Sequence, residues 1–93
     1  ELPYIFGKPN INEFLKLKKI IDKSKFSYKQ IKDLYFFPSN RWDLKLKDDI
    51  LLKLPNNFTY EKLDYLYDFL QNYKGDSLNI VDARIDKQII LNE

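Results

Sequence analysis

From Arg41 to Lys47 the chain reads Arg-Trp-Asp-Leu-Lys-Leu-Lys, apolar and polar in strict alternation. Period two is the pattern of a strand with one buried face. Asp48-Asp49 marks a turn, and Ile50 to Leu54 reads as the returning strand. A two-residue loop would set Leu44 opposite Lys53. A three-residue loop over Lys47–Asp49 instead sets Leu46 against Ile50, Leu44 against Leu52 and Trp42 against Leu54. Slipping the register by one residue sends every side chain to the other face, so burial selects the longer loop. Loops of that kind end on a left-handed residue, which predicts a positive φ at Asp49, a residue type that tolerates it. Trp42, in phase with Leu44 and Leu46, is expected in the core rather than in a site.

The flanking segments divide the remaining chain. Leu2 to Phe6 is β-prone and stops at Gly7, with Pro3 confining it to a strand start or an edge. Asn10, with Glu13 three residues on, predicts a helix start, and Ile11, Phe14, Leu15, Leu17, Ile20 and Ile21 form its apolar stripe to about Lys23. Lys16, Lys19 and Lys23 share its other face. Ser24–Ser27 connects to an irregular strand over Tyr28–Phe37, and Pro38-Ser39-Asn40 breaks the chain. A second helix is predicted from Phe58 or Thr59, capped by Asn57 or Thr59, to about Tyr73, burying Leu63, Leu66, Tyr67 and Leu70, with Gly75 as its C-terminal cap. Leu78–Ile85 reads as a strand with Val81, Ala83 and Ile85 on one face. Asp86-Lys87 is a turn, and Gln88–Leu91 is the last strand. The order β-α-β-β-β-α-β-β predicts a single α+β domain over 1–93, with a mainly antiparallel sheet and both helices on one face.

Composition narrows the chemistry. Ninety-three residues suit one domain, and 16% aromatic residues can supply a core. The chain has no Cys, His or Met, which removes the usual zinc, haem and iron–sulfur ligands and the Cys–His and Ser–His–Asp nucleophile sets. No cofactor is expected. The Asp48-Asp49 pair is explained by a turn, and Asp64/Asp68 by a polar helix face. Net charge is +2, and Lys predominates so strongly that only Arg41 and Arg84 are Arg, which fits an AT-rich coding bias. No segment approaches the roughly 18 apolar residues of a membrane span. A chain that begins at Glu1 reads as a piece of something longer.

Four stretches, in order, resemble the C-terminal β domain of the bacterial cell-division family FtsQ/DivIB. Leu2-Pro3-Tyr4-Ile5-Phe6-Gly7 is similar to that family's opening, and Arg41-Trp42-Asp43-Leu44-Lys45-Leu46 to its Trp-bearing strand. Asp49-Ile50-Leu51-Leu52-Lys53-Leu54 resembles its return strand, and Ile80-Val81-Asp82-Ala83-Arg84 the strand before its C-terminus. The resemblance runs from Leu2 to about Ile90. Asp49 stands where Gly is common, and Ala83 where Leu is usual.

The resemblance implies a non-enzymatic divisome scaffold at the division septum. It would be held in the cytoplasmic membrane by an anchor outside this segment, with this domain on the periplasmic or extracytoplasmic side. Its implied partners are FtsB and FtsL, FtsB adding a strand to the last strand of the domain. The candidate partner-binding residues are Arg84, Ile85, Asp86, Lys87, Gln88, Ile89, Ile90 and Leu91, with Arg41 beside the Trp42 strand. Read without the resemblance, Gln88–Leu91 is an edge strand guarded only by Lys87 and Glu93, which favours a covering partner. Arg84 either pairs with Asp82 or Asp86 or grips a partner carboxylate with its planar fork. A proline at Ile90 removes a ladder donor if that N–H faces outward, which the sequence leaves open. The competing function is a small basic domain binding nucleic acid or anionic lipid through Lys16, Lys18, Lys19, Lys23 and Lys25.

Overall fold

The structure, a computed structural model, describes residues 2–75, 77–85 and 88–92. In chain order its elements are β1 (Tyr4–Phe6), α1 (Ile11–Lys23), β2 (Ile31–Phe36), β3 (Trp42–Leu46), β4 (Leu51–Lys53), α2 (Tyr60–Asn72), β5 (Ile80–Asp82) and β6 (Ile90–Asn92). The strands form one sheet in the lateral order β1-β2-β3-β4-β5-β6. The β2/β3, β3/β4 and β5/β6 pairings are antiparallel, while β1/β2 and β4/β5 are parallel. Each parallel pair is bridged by a helix, as a parallel crossover requires. The sheet is therefore mixed, with antiparallel pairing in the majority.

The central hairpin takes the register that burial selects. Leu44 lies opposite Leu52, the Leu46 N–H donates to Ile50 at 2.8 Å, and the Leu54 N–H donates to Trp42 at 3.3 Å. Asp49 has φ 69°, the left-handed conformation that the three-residue loop predicts. Carried through every pairing, this register lines up one row across six strands: Ile5, Leu34, Leu44, Leu52, Val81 and Leu91. The four inner members are at most 2% exposed, whereas Ile5 and Leu91 at the two ends are 44% and 37% exposed. Leu17 and Ile21 from α1, and Leu63 and Leu66 from α2, close over this face in one hydrophobic core.

Both helices start where the sequence places a cap. Asn10 Oδ1 accepts the Glu13 N–H at 2.9 Å, and Thr59 Oγ1 accepts the Lys62 N–H at 3.2 Å. The second helix ends otherwise than predicted. Tyr73 closes it in an extended conformation, and Gly75 is not in the left-handed region. Gly75 instead makes room, since a Cβ there would lie 2.0 Å from the Tyr73 hydroxyl.

Other corrections have local causes. Tyr28–Gln30 is a 3₁₀ turn rather than strand, because Gln30 Oε1 accepts the Ser27 N–H at 3.0 Å and winds the chain. The irregularity in β2 is a bulge at Lys32, between Ile31 opposite Leu46 and Asp33 opposite Lys45. It brings Ile31 and Leu34, three residues apart, onto one buried face. β5 is shorter than Leu78–Ile85, since Asp82 accepts the Arg84 N–H at 3.1 Å and turns the chain. Ile85 is consequently 53% exposed and leaves the inward face that Val81 and Ala83 occupy. In α1, Ile11 and Leu15 are 66% and 47% exposed instead of joining the buried stripe.

Candidate partner-binding edge

β6 closes the sheet on one side. Among the described residues it pairs with β5 alone, Ile80 facing Asn92, Val81 facing Leu91 and Asp82 facing Ile90. Hydrogen bonding further in determines which of its backbone groups point outward. The Leu51 N–H donates to Asn79 at 2.8 Å, and the Ala83 N–H donates to Lys53 at 2.9 Å. The Asn79 carbonyl and the Ala83 N–H thus bond toward β4, the Asn79 N–H donates to Asn92 in β6 at 2.9 Å, and along β5 alternation turns Val81 toward β4 and Ile80 and Asp82 toward β6. Ile90 and Asn92 turn their backbone groups inward to β5, the Asn92 carbonyl accepting the Asn79 N–H. The Leu91 N–H and C=O point away from the sheet, and continued alternation gives Ile89 the same orientation. The Ile90 N–H, left open by the sequence, faces inward.

Side chains alternate across the same strand. Leu91 shares the helix-side face with Val81, and Ile89 packs partly buried against the core. Ile90, 49% exposed, lies on the opposite face. There it ends a second row: Phe6, Tyr35, Asp43, Lys53, Asp82 and Ile90. Phe6 and Tyr35 stack at 5.1 Å between ring centroids at the far end of that row.

The two arginines come together on this face. Arg41 is two residues before Asp43 and Arg84 two residues after Asp82, on strands that run in opposite directions. Period two then puts both at the same end of one face, two strand spacings or about 10 Å apart. Each is held by the acid on its own strand. Arg84 donates to Asp82 through Nε at 2.9 Å and through a terminal nitrogen at 2.6 Å. Arg41 pairs with Asp43 and lies 4.5 Å from the centroid of the Phe37 ring. The Arg84 hydrogen bond holds the Asp82 carboxyl below its ordinary range. Burial pushes the Asp43 carboxyl up, against the pull of Arg41, Lys53 and Arg84. Of the two acids expected for Arg84, Asp82 is the one it pairs with, whereas the sequence reading passed over Asp43 as the anchor of Arg41, although an acid two residues away was the available signal.

The candidate residues are therefore distributed as follows. Arg84, Ile85, Gln88, Ile89, Ile90 and Leu91 lie along or beside the β6 edge, and Arg41 faces the same end from β3. Asp86, Lys87 and the turn assigned to them lie outside the described residues. Trp42 is 3% exposed and belongs to the core.

Among the described residues, the other neighbouring carboxylates, Asp64 and Asp68, meet a lysine rather than a shared cleft. Asp64 accepts the Lys25 N–H at 2.7 Å, and Asp68 binds the Lys25 ammonium at 2.8 Å, tying the segment after α1 to α2. A hollow of about 320 Å³ beside the β3–β4 turn, walled by Phe26, Leu46, Ile50, Tyr67 and Leu70, contains one carboxylate, Asp48. Among the described residues no group of three or more acidic side chains could hold a metal ion.

No curated protein matches the chain. The family model described as cell division protein FtsQ/DivIB, C-terminal, matches residues 1–84. That span takes in β1 through β5 and all four stretches named above, and stops before β6. With nine-tenths of its length inside that match, the chain belongs to the FtsQ/DivIB cell-division family, within the family's C-terminal domain.

Proposed function

We propose that this domain is a divisome scaffold that receives a partner strand along β6, the partners being FtsB and, with it, FtsL. FtsQ/DivIB proteins are membrane-anchored and act in cell division. In this reading the domain works on the extracytoplasmic side at the septum and carries no catalytic centre. The observation that carries the reading is the outward-pointing backbone of Leu91 on a strand paired on one side only. Strand addition takes affinity from such main-chain groups and specificity from alternate side chains. An incoming strand would set an aliphatic residue beside Leu91, extending the six-residue row, and an apolar residue beside Ile90. A carboxylate near the Arg84 end would meet a guanidinium with three of its five N–H donors still free of Asp82.

Titration of the chain with an extracytoplasmic FtsB peptide tests this. The wild-type chain is expected to bind in a salt-tolerant manner. Leu91→Pro, which removes an outward N–H, abolishes binding while far-UV circular dichroism stays native. Unchanged affinity in folded Leu91→Pro overturns the proposal.

A further inference from the structure

The outward face of α1 holds a feature that neither the core nor the β6 edge explains. Leu15 is two residues from buried Leu17, so it projects about 200° around the helix from it, into solvent. Ile11 stands one turn earlier on the same side, at 66% exposure. These two aliphatic side chains sit in the middle of the polar face, not at the margin of the buried stripe. Around them are Asn12, Lys16, Lys18, Lys19 and Asp22, whose side chains with Leu15 wall a shallow depression of about 500 Å³.

The charge around that face is uneven. Between Lys8 and Lys23, five lysines stand against Glu13 and Asp22, leaving +3 on a segment of a chain whose total is +2. Lys16 pairs loosely with Glu13 at 3.7 Å and Lys18 with Asp22 at 2.8 Å. Among the described residues, Lys8 and Lys19 face no carboxylate.

We propose that this face seats the domain on a membrane surface bearing anionic lipid, with Ile11 and Leu15 entering the headgroup boundary and the lysines meeting the phosphates. Charge complementarity selects an anionic partner, and the shape of the patch selects among anionic partners. A partner helix needs an apolar seam sustained over several turns, and here the line runs into Lys18, Lys19 and Asp22 after one. A nucleic acid gains nothing from two aliphatic groups at the centre of its contact. A lipid surface accepts a short apolar wedge ringed by lysines, whose methylene stems lie in the boundary while their ammonium groups stay in water.

The test is co-sedimentation of the chain with vesicles of phosphatidylcholine alone and of phosphatidylcholine with about 30% phosphatidylglycerol. Binding is expected on the anionic vesicles and not on the neutral ones. Lys8→Glu with Lys19→Glu lowers it by about tenfold or more, and Leu15→Ser by about fivefold. Both changes are on exposed positions, so the fold survives them. An environment-sensitive fluorophore on Leu15→Cys shifts to the blue on anionic vesicles. Leu91→Pro leaves vesicle binding unchanged, which separates this face from the proposed docking edge. Equal binding to neutral vesicles, unchanged binding by Leu15→Ser, no blue shift, or loss of vesicle binding in Leu91→Pro each overturns the proposal. So does displacement from the vesicles by a single-stranded oligonucleotide.

Discussion

Arg84 grips Asp82, two residues back on its own chain, with side-chain hydrogen bonds of 2.9 and 2.6 Å, while its backbone N–H reaches the same carboxylate at 3.1 Å. A partner carboxylate must share that guanidinium or displace Asp82. Asp82→Asn keeps an oxygen for the backbone bond and removes the competing charge. It is expected to tighten binding of an acidic partner strand severalfold, whereas Arg84→Ala weakens it by roughly tenfold, in line with charge-assisted contacts. Titration calorimetry with the same peptide checks both directions.

Gly7 has φ +101°, and a Cβ built there would stand 2.3 Å from the Phe36 carbonyl oxygen. Neither the conformation nor the backbone contact can yield cheaply. Gly7→Ala is expected to cost about 2–4 kcal/mol, read as a fall in Tm on the order of 10–20 °C. Thermal unfolding followed by circular dichroism measures it.

Asp49 holds the left-handed position of the β3–β4 turn with an exposed contact to Lys32 at 3.4 Å. Asp49→Gly relieves the conformation and gives up an ion pair of little worth, so it is expected to stabilise by roughly 0.5 kcal/mol. Asp49→Val forces a β-branched residue into the same φ and is expected to destabilise by about 1–2 kcal/mol. Urea titration resolves the opposite signs.

Asp43 and Asp82 predict opposite responses to acid. The Asp82 carboxyl is held below its ordinary value of 3.8 by Arg84, so its stabilising contribution is complete above 3.8 and lost as pH falls through the native value. The Asp43 carboxyl is raised above 3.8 by burial, so the native state takes up that proton first and an unfavourable ionised form disappears on acidification. Between about pH 7 and about pH 3, Asp82→Asn should flatten the loss of stability and Asp43→Asn should steepen it. Denaturant midpoints at the two pH values decide this.

The fold was legible wherever local pattern and burial agree. Alternation from Trp42 to Leu46 set the hairpin register, and Asn10 marked the first residue boundary of α1. What escaped was set by tertiary relations. Ile11 and Leu15 are apolar residues in the same helix, but Leu15 projects about 200° away from Leu17, and only the side that carries Leu17 and Ile21 meets the sheet. Ile85 alternates correctly with Ala83, yet the Asp82–Arg84 turn had already ended the strand. Gly75 had a conventional place for a cap and serves the Tyr73 ring instead. At the candidate edge, sequence named the strand and both arginines, but not the side to which each amide points, because that depends on how β5 pairs with β4.

Strand order in space copies strand order along the chain, from β1 at one margin to β6 at the other. A sheet of this kind grows sideways like a fence, each new plank set against the last, and no finished pair has to part to admit a latecomer. Its closing plank is held on one side only, so a visiting chain would lie against it without disturbing what stands behind it.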